Sequence, residues 1–310
     1  MGVTCLLLVG LYFAALAPPL WLLHGGILPA KLAIGFEALV VVLLGLQYAS
    51  LDSMALRAAR ARIVEADEAP KLHGALEKLA ALADVPKPRA AVFESSIPNA
   101  FATGRNPGRS TIAVTRGLVE RLQPEEIEAV LAHELSHIAN RDGAVMTFAS
   151  FPALTLRELI RAAPWKMWVF GWPLMLLACA FYVVGLGIML TISRCREYAA
   201  DSGAALLTGA PEHLMSALQK IAGSISQIPA ADLRSSSGMS AFFILPTNLR
   251  ALTHPPIERR LARLAEMSRQ LGKPAPPAAN GTACRKLAPA SIAFAVTFAV
   301  VLAVVSLALR

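Results

Sequence analysis

Long uncharged runs alternate with polar stretches along the chain. Thr4 to Leu23 is 20 residues without a charge. Leu32 to Leu51 is another 20, broken only by Glu37. Met167 to Ser193 gives 27, and Leu287 to Leu309 gives 23. About 20 apolar residues cross a bilayer, so each run predicts a membrane-spanning helix. Trp168 and Trp172 stand near the start of the third, where interfacial aromatics sit. Gly143 to Leu156 is uncharged for only 14 residues before Arg157, Glu158 and Arg161. It either spans by snorkelling its arginines or lies in the interface. The first run reads as a retained span, since it lacks a basic start and no small-x-small cleavage site follows Pro18-Pro19. Glu37 reads as a snorkelling residue at the membrane edge, close to Lys31.

The polar stretches carry the periodicities of a mixed domain. Val64 to Ala83 is helical in pattern, with Leu72, Leu76, Leu79 and Leu82 on one face. Pro86 and Pro88 end it, and Ala90 to Phe93 suits a strand. Arg105-Asn106-Pro107-Gly108 is turn chemistry, and the β-branched run Ser110 to Thr115 suits a second strand. Gln123-Pro124-Glu125-Glu126 opens a helix with Pro in the first turn and acids at the positive dipole end. That helix runs through Ile127, Val130 and Leu131 to His137. Further helices are predicted from near Arg194, over Pro211 to Ser224, and over Pro256 to Leu271. Ala230 to Ser240 is a Ser-rich loop before the apolar Ala241 to Leu245, and Lys273 to Ala283 is a Pro- and Ala-rich linker. There is no internal repeat.

Composition agrees with this pattern. The 310 residues are 55% hydrophobic and 16% charged, against about 25% charged in soluble domains. That excludes a disordered chain and disfavours a fully soluble enzyme. Four cysteines are too few for a disulfide scaffold. Cys5 and Cys179 lie in apolar runs, Cys284 lies in a linker, and none has metal-site spacing. The net charge of +8 comes without any helix-turn-helix, zinc-finger or ribonucleoprotein signature, so no nucleic-acid partner is expected. Juxtamembrane topology and anionic lipid account for it better. Arg57, Arg60 and Arg62 follow the second run, Arg194 and Arg196 follow the third, and Arg285 and Lys286 precede the last. By the positive-inside rule these ends face the cytoplasm, where cysteines stay reduced.

One pentapeptide carries the chemistry. His133-Glu134-Leu135-Ser136-His137 places two histidines four apart on a helix, on one face, able to bind one ion. Glu134 projects beside that ion, as a general base toward an activated water does. The bland alternative is two histidines on an ordinary amphipathic helix. A catalytic zinc needs a third protein ligand. Glu197 is the candidate, with Asp201 four residues on, placed to hold a ligand histidine by its other ring nitrogen. The alternative is an acidic pair making helix ion pairs with Arg194 and Arg196. The chain between the two halves of this site must cross the membrane an even number of times, so Gly143 to Leu156 spans as well, or the long run is a re-entrant hairpin.

Four blocks together resemble a known family: Pro98 to Gly104, His133 to Asp142 (HELSHIANRD), Ser193 to Asp201 (SRCREYAAD) and Thr253 to Pro256 (THPP). In order and spacing they resemble the HtpX-like membrane zinc metalloproteases, gluzincins distantly similar to the CAAX prenyl endopeptidases. The resemblance spans about residues 64 to 265. It implies a mainly α fold with a small β-sheet, a zincin-like catalytic domain on a multi-span helical membrane protein. It also implies one Zn2+ per chain held by His133, His137 and Glu197, with Asp201 supporting a histidine. Glu134 is the implied base, and His254 an oxyanion donor. Substrate would add as a strand beside Asn99, Ala100 and Phe101, where the plain alternative is a turn with a core Phe101. The run Leu287 to Leu309 departs from the four hydrophobic segments of the HtpX group.

The expected organisation is two N-terminal spans (1–51), the first half of the catalytic domain (52–142), a transmembrane hairpin (143–193), the second half (194–271), a linker (272–286) and a C-terminal span (287–310). The expected protein is a multi-pass endopeptidase of the plasma (inner) membrane with its catalytic domain facing the cytoplasm. It would act on protein or peptide substrates in quality control, or as a processing protease for one defined, lipidated substrate.

Overall fold

The structure, a computed structural model, describes residues 30–162, 164–226 and 254–273. The expected spans at 4–23 and 287–309, the Ser-rich loop with Ala241 to Leu245, and the linker beyond Lys273 lie outside the described residues. The described elements in chain order are α1 (Ala30–Ala59), β1 (Arg62–Ile63), α2 (Pro70–Leu82), β2 (Arg89–Phe93), β3 (Ala100–Gly104), a 3-10 turn (Pro107–Arg109) and β4 (Ser110–Thr115). Then follow α3 (Arg116–Arg121), α4 (Pro124–Ala139), α5 (Asp142–Ala162), α6 (Trp165–Phe170), α7 (Trp172–Thr208), α8 (Pro211–Ser226) and α9 (Ile257–Gln270).

The chain divides into two compact units. One comprises Met1–Gly45, Met146–Ile192 and Thr282–Arg310; the other comprises Leu46–Val145 and Ser193–Gly281. The chain therefore leaves the second unit at Val145 and re-enters it at Ser193. α5 and α7 carry it out and back, with Pro152 inside α5 removing one backbone hydrogen bond of that helix. The helix expected from near Arg194 has no separate start. It is the continuation of α7, so the apolar run and the Glu197 segment are one rod.

Among the described residues one helical stretch is long and apolar enough to cross a membrane, Met175–Thr208, with mean hydropathy 2.4. Val41–Ser50 in α1 is a shorter apolar stretch. Both leave large apolar side chains exposed, such as Val41, Leu46, Leu176 and Val183.

In the second unit a four-stranded sheet runs in the order β1-β2-β4-β3, with β2 and β4 parallel and the outer pairs antiparallel. Alternation along the strands gives it two apolar faces. Ala90, Ile112 and Val114 face a core shared with Leu76 and Leu79 of α2, Leu131 and Leu135 of α4, and Leu214 and Leu218 of α8. Ala91, Phe93, Phe101 and Ala113 pack with Ala55 and Ala59 at the end of α1. β1, two residues long, was not anticipated. Its pairing with β2 needs no local strand signal, since the chain simply passes the sheet edge after α1 ends at Arg60, whose φ is 50°.

α4 is fixed at its first turn by Glu126. This buried carboxylate accepts from the Gln123 amide at 2.8 Å, from Ser216 Oγ at 2.6 Å and from Lys220 Nζ at 2.8 Å. Burial opposes its charge, but Lys220, Ser216 and the Gln123 amide outweigh that, and its carboxyl is held below the usual range. The helix bearing the histidines is thus pinned to α8.

Candidate active site

α4 and α7 each present an i, i+4 pair, and the two pairs meet. His133 and His137 lie on α4, Glu197 and Asp201 on α7, and all but the half-buried His137 are buried. The helices come this close because residue 203 is a glycine: a Cβ there would lie 2.4 Å from Ser136 Oγ. Ser136 is itself tied back to the Ala132 carbonyl at 2.8 Å.

The ligand atoms converge. His133 Nε2 and His137 Nε2 are 3.3 Å apart. Glu197 Oε2 lies 3.8 Å from the first and Oε1 3.7 Å from the second. One ligand atom from each of these three residues lies within 4.8 Å of the others, a group able to hold a metal ion. The opposite ring nitrogens face carboxylates: His133 Nδ1 is 3.1 Å from Asp201 Oδ1, and His137 Nδ1 is 2.6 Å from Asp142 Oδ2. A carboxylate beside each Nδ1 favours the tautomer protonated there, which leaves both Nε2 lone pairs bare and turned toward one point. Their 3.3 Å separation is that of an N–H···N hydrogen bond or of two ligands on one cation.

Two arginines complete the charge pattern. Arg260, on α9 and wholly buried, donates to Asp201 from Nε at 2.8 Å and from Nη2 at 2.6 Å, and its Nη1 is 3.3 Å from Glu197 Oε2. Burial disfavours its charge, but Asp201 and Glu197 more than offset that and raise its pKa. Arg196 pairs with Asp142 at 2.6 Å. Four carboxylates (Glu134, Asp142, Glu197, Asp201) thus stand against two guanidiniums. Two imidazoles and a carboxylate, each imidazole backed by a carboxylate, are a donor set suited to catalytic zinc.

The other sequence-derived positions fall nearby or in the sheet. Glu134 is buried on α4. His254 Nδ1 sits 3.2 Å from Glu197 Oε2, just ahead of α9. β3 is an edge strand, beside α4. Thr115 N donates to Asn99 O at 2.9 Å, and Asn99 N donates to Thr115 Oγ1 at 2.8 Å. Antiparallel alternation from that pair turns the Phe101 and Thr103 backbones inward toward β4 and those of Ala100 and Ala102 outward. The Phe101 ring is core, 5.6 Å from that of Phe93. Of Asn99, Ala100 and Phe101, only Ala100 turns its backbone away from β4, and it is buried; the half-buried Ala102 repeats that orientation.

Sequence reading gave no role to Arg260 or Asp142. Asp142 closed the HELSHIANRD block, and the reversal that brings it back onto His137 is made by Arg141, whose φ is 54°. Nothing local links Arg260 to α7.

This arrangement defines a metallopeptidase, and the chain belongs to peptidase family M48, which residues 66–268 match. It is 42% identical to the protein named Protease HtpX homolog 1 of Streptomyces coelicolor over 295 residues, covering 89% of this chain and 94% of that one. It is 45% identical to the Protease HtpX homolog of Moorella thermoacetica over 254 residues, 76% of this chain and 85% of that one. Among solved structures it is similar to S. mikatae Ste24p, with TM-score 0.49 and 21% identity, over 83% of this chain and 64% of that chain. The chain is a metalloendopeptidase of this family.

Proposed function

We propose that the protein is an integral-membrane, zinc-dependent endopeptidase with a broad substrate range, acting in protein quality control on membrane or cytoplasmic proteins from the cytoplasmic side. The observation that carries the zinc reading is the convergence of His133, His137 and Glu197, each histidine backed by a carboxylate. The exposed apolar run of α7, continuous with the Glu197 segment, supports the membrane. The Ala102 backbone, half-buried and turned away from β4 on an edge strand, supports breadth, because strand addition gives affinity through main-chain hydrogen bonds rather than side-chain pockets.

When bound, zinc supplies Lewis acidity toward a water and the scissile carbonyl. Glu134 takes the water's proton and passes it to the leaving amine. His254, with one ring nitrogen toward Glu197, uses the other to donate to the carbonyl oxygen as it gains charge. Asp201 and Asp142 hold the ligand rings in the tautomer that leaves Nε2 bare. The β3 edge aligns the substrate backbone.

The test is purified full-length protein, loaded with zinc and given several unrelated unfolded proteins, with products mapped by mass spectrometry against a Glu134→Gln control. The proposal expects cleavage at many sites lacking a shared motif. One site in one lipidated peptide would establish the processing alternative instead.

Glu197→Ala removes one of three protein ligands. Zinc affinity, read by competition with a chelator, should fall by more than the roughly 10–100-fold that loss of an outer-shell partner causes. Unchanged affinity would move the ligand role to another carboxylate. His254→Ala should lower kcat by roughly 10²–10³ while zinc content, KM and fold stay near wild type, because Arg260 still contacts Glu197. A loss confined to thermal stability, with normal turnover per folded molecule, would make His254 structural.

A further inference from the structure

One end of the sheet is built from arginine. Arg89 opens β2, Arg105 follows β3, and Arg109 precedes β4, and the register brings all three to that end: Arg89 pairs with Thr111, and Gly104 with Ser110. Arg89 and Arg109 are exposed and have no carboxylate within ion-pair distance among the described residues. The acid nearest this group is Asp52, half-buried, with Oδ2 3.7 Å from Arg105 Nε. Burial pushes its carboxyl up against the attraction of Arg105, Arg89 and Arg109. One carboxylate does not neutralise three guanidiniums.

The same end is tied to two helices at the points where they turn apolar. Tyr48, within the apolar stretch Val41–Ser50 of α1, donates its hydroxyl to the Arg105 carbonyl at 2.7 Å. The N-terminus of α5, at the start of its uncharged run, abuts β3 so closely that a Cβ on Gly143 would lie 2.9 Å from the Gly104 carbonyl. Arg141, exposed, stands just before it. A tyrosine hydroxyl at the end of an apolar helix run marks the headgroup level. On the membrane reading above, the arginine end of the sheet is at that level.

We propose that Arg89, Arg105 and Arg109, with Arg141, form a binding surface for anionic phospholipid headgroups, whose negative charge each cation attracts. The proposal rests on the membrane reading above. The surface closes the far end of the β3 edge, so bound headgroups hold that edge at the bilayer face where a membrane protein's unfolded segment emerges. A basic residue at an anionic surface contributes roughly a fivefold preference.

The test uses full-length protein reconstituted into phosphatidylcholine vesicles carrying a trace of spin-labelled phosphatidylglycerol or spin-labelled phosphatidylcholine. Wild type should associate with the phosphatidylglycerol probe several-fold more strongly than with the phosphatidylcholine probe. The variant Arg89→Gln/Arg105→Gln/Arg109→Gln should lose most of that preference, while the corresponding triple lysine variant keeps most of it and both retain wild-type zinc content. Equal preference in wild type and the glutamine variant would overturn the proposal and leave the membrane reading intact. Displacement by soluble glycerol phosphate would overturn it in favour of a free-phosphate site. A glutamine variant changed only in KM for acidic peptides would overturn it in favour of substrate recognition. Failure of the wild type to co-float with neutral vesicles would overturn the membrane reading and this proposal together.

Discussion

Glu134→Gln should bind zinc as wild type does and lose proteolysis by roughly 10²–10⁴, the span associated with loss of a positioned general base. The amide keeps the shape of the carboxylate, so the helix face holding His133 and His137 is undisturbed. What it lacks is basicity toward the water's proton. Zinc content by mass spectrometry and initial rates on an unfolded protein substrate check both halves. A zinc-loaded variant with full activity would remove Glu134 from the role of base.

The second large effect is expected at Arg260. Its guanidinium spans Asp201 and Glu197, one the partner of a ligand histidine and the other a ligand. Arg260→Ala leaves two buried carboxylates without their counter-charge. Breaking a buried ion pair on one side costs about 3–5 kcal/mol, and here the strain falls on the orientation of His133. Thermal unfolding should move down sharply, and zinc affinity should drop roughly 10–100-fold through the lost outer-shell support. Arg260→Lys should recover little, because an ammonium cannot make the forked contact to Asp201 while reaching Glu197. Stability and affinity close to wild type in both variants would show that the carboxylates are balanced by something other than this arginine.

What could be read from the sequence followed from distance along the chain. His133 and His137 are one helical turn apart, so spacing alone puts them on one face. Glu197 and Asp201 repeat that spacing, but their meeting with α4 is tertiary: the residues alone offered Glu197 only as a candidate third ligand beside an ion-pair alternative, and the resemblance decided between them. β2 and β4 were legible as short apolar and β-branched runs between turn residues. β3 was legible only as a block of family-like residues; its register, and with it the core position of the Phe101 side chain, depends on pairing with β4. Arg260 looks like one more charge on the polar face of an amphipathic helix. Its burial comes from α9 packing against α8, which lays Arg260 across Asp201 and Glu197 of α7 and sets Arg263 4.7 Å over the Tyr198 ring. Asp142 depends on one residue, Arg141, adopting a left-handed conformation that no spacing rule anticipates. The apolar runs predicted helices, but not that the third would continue unbroken into the site.

The account's central claim is that one zinc ion at His133, His137 and Glu197 makes this chain a protease. Its most direct test is titration of zinc into chelator-stripped full-length protein while cleavage of an unfolded substrate is followed. The prediction is no activity at the start, a linear rise, and a break at one zinc per chain, with Glu134→Gln taking up the same single zinc and remaining inactive. Stripped protein that cleaves at the wild-type rate, or activity that does not respond to zinc, would contradict it.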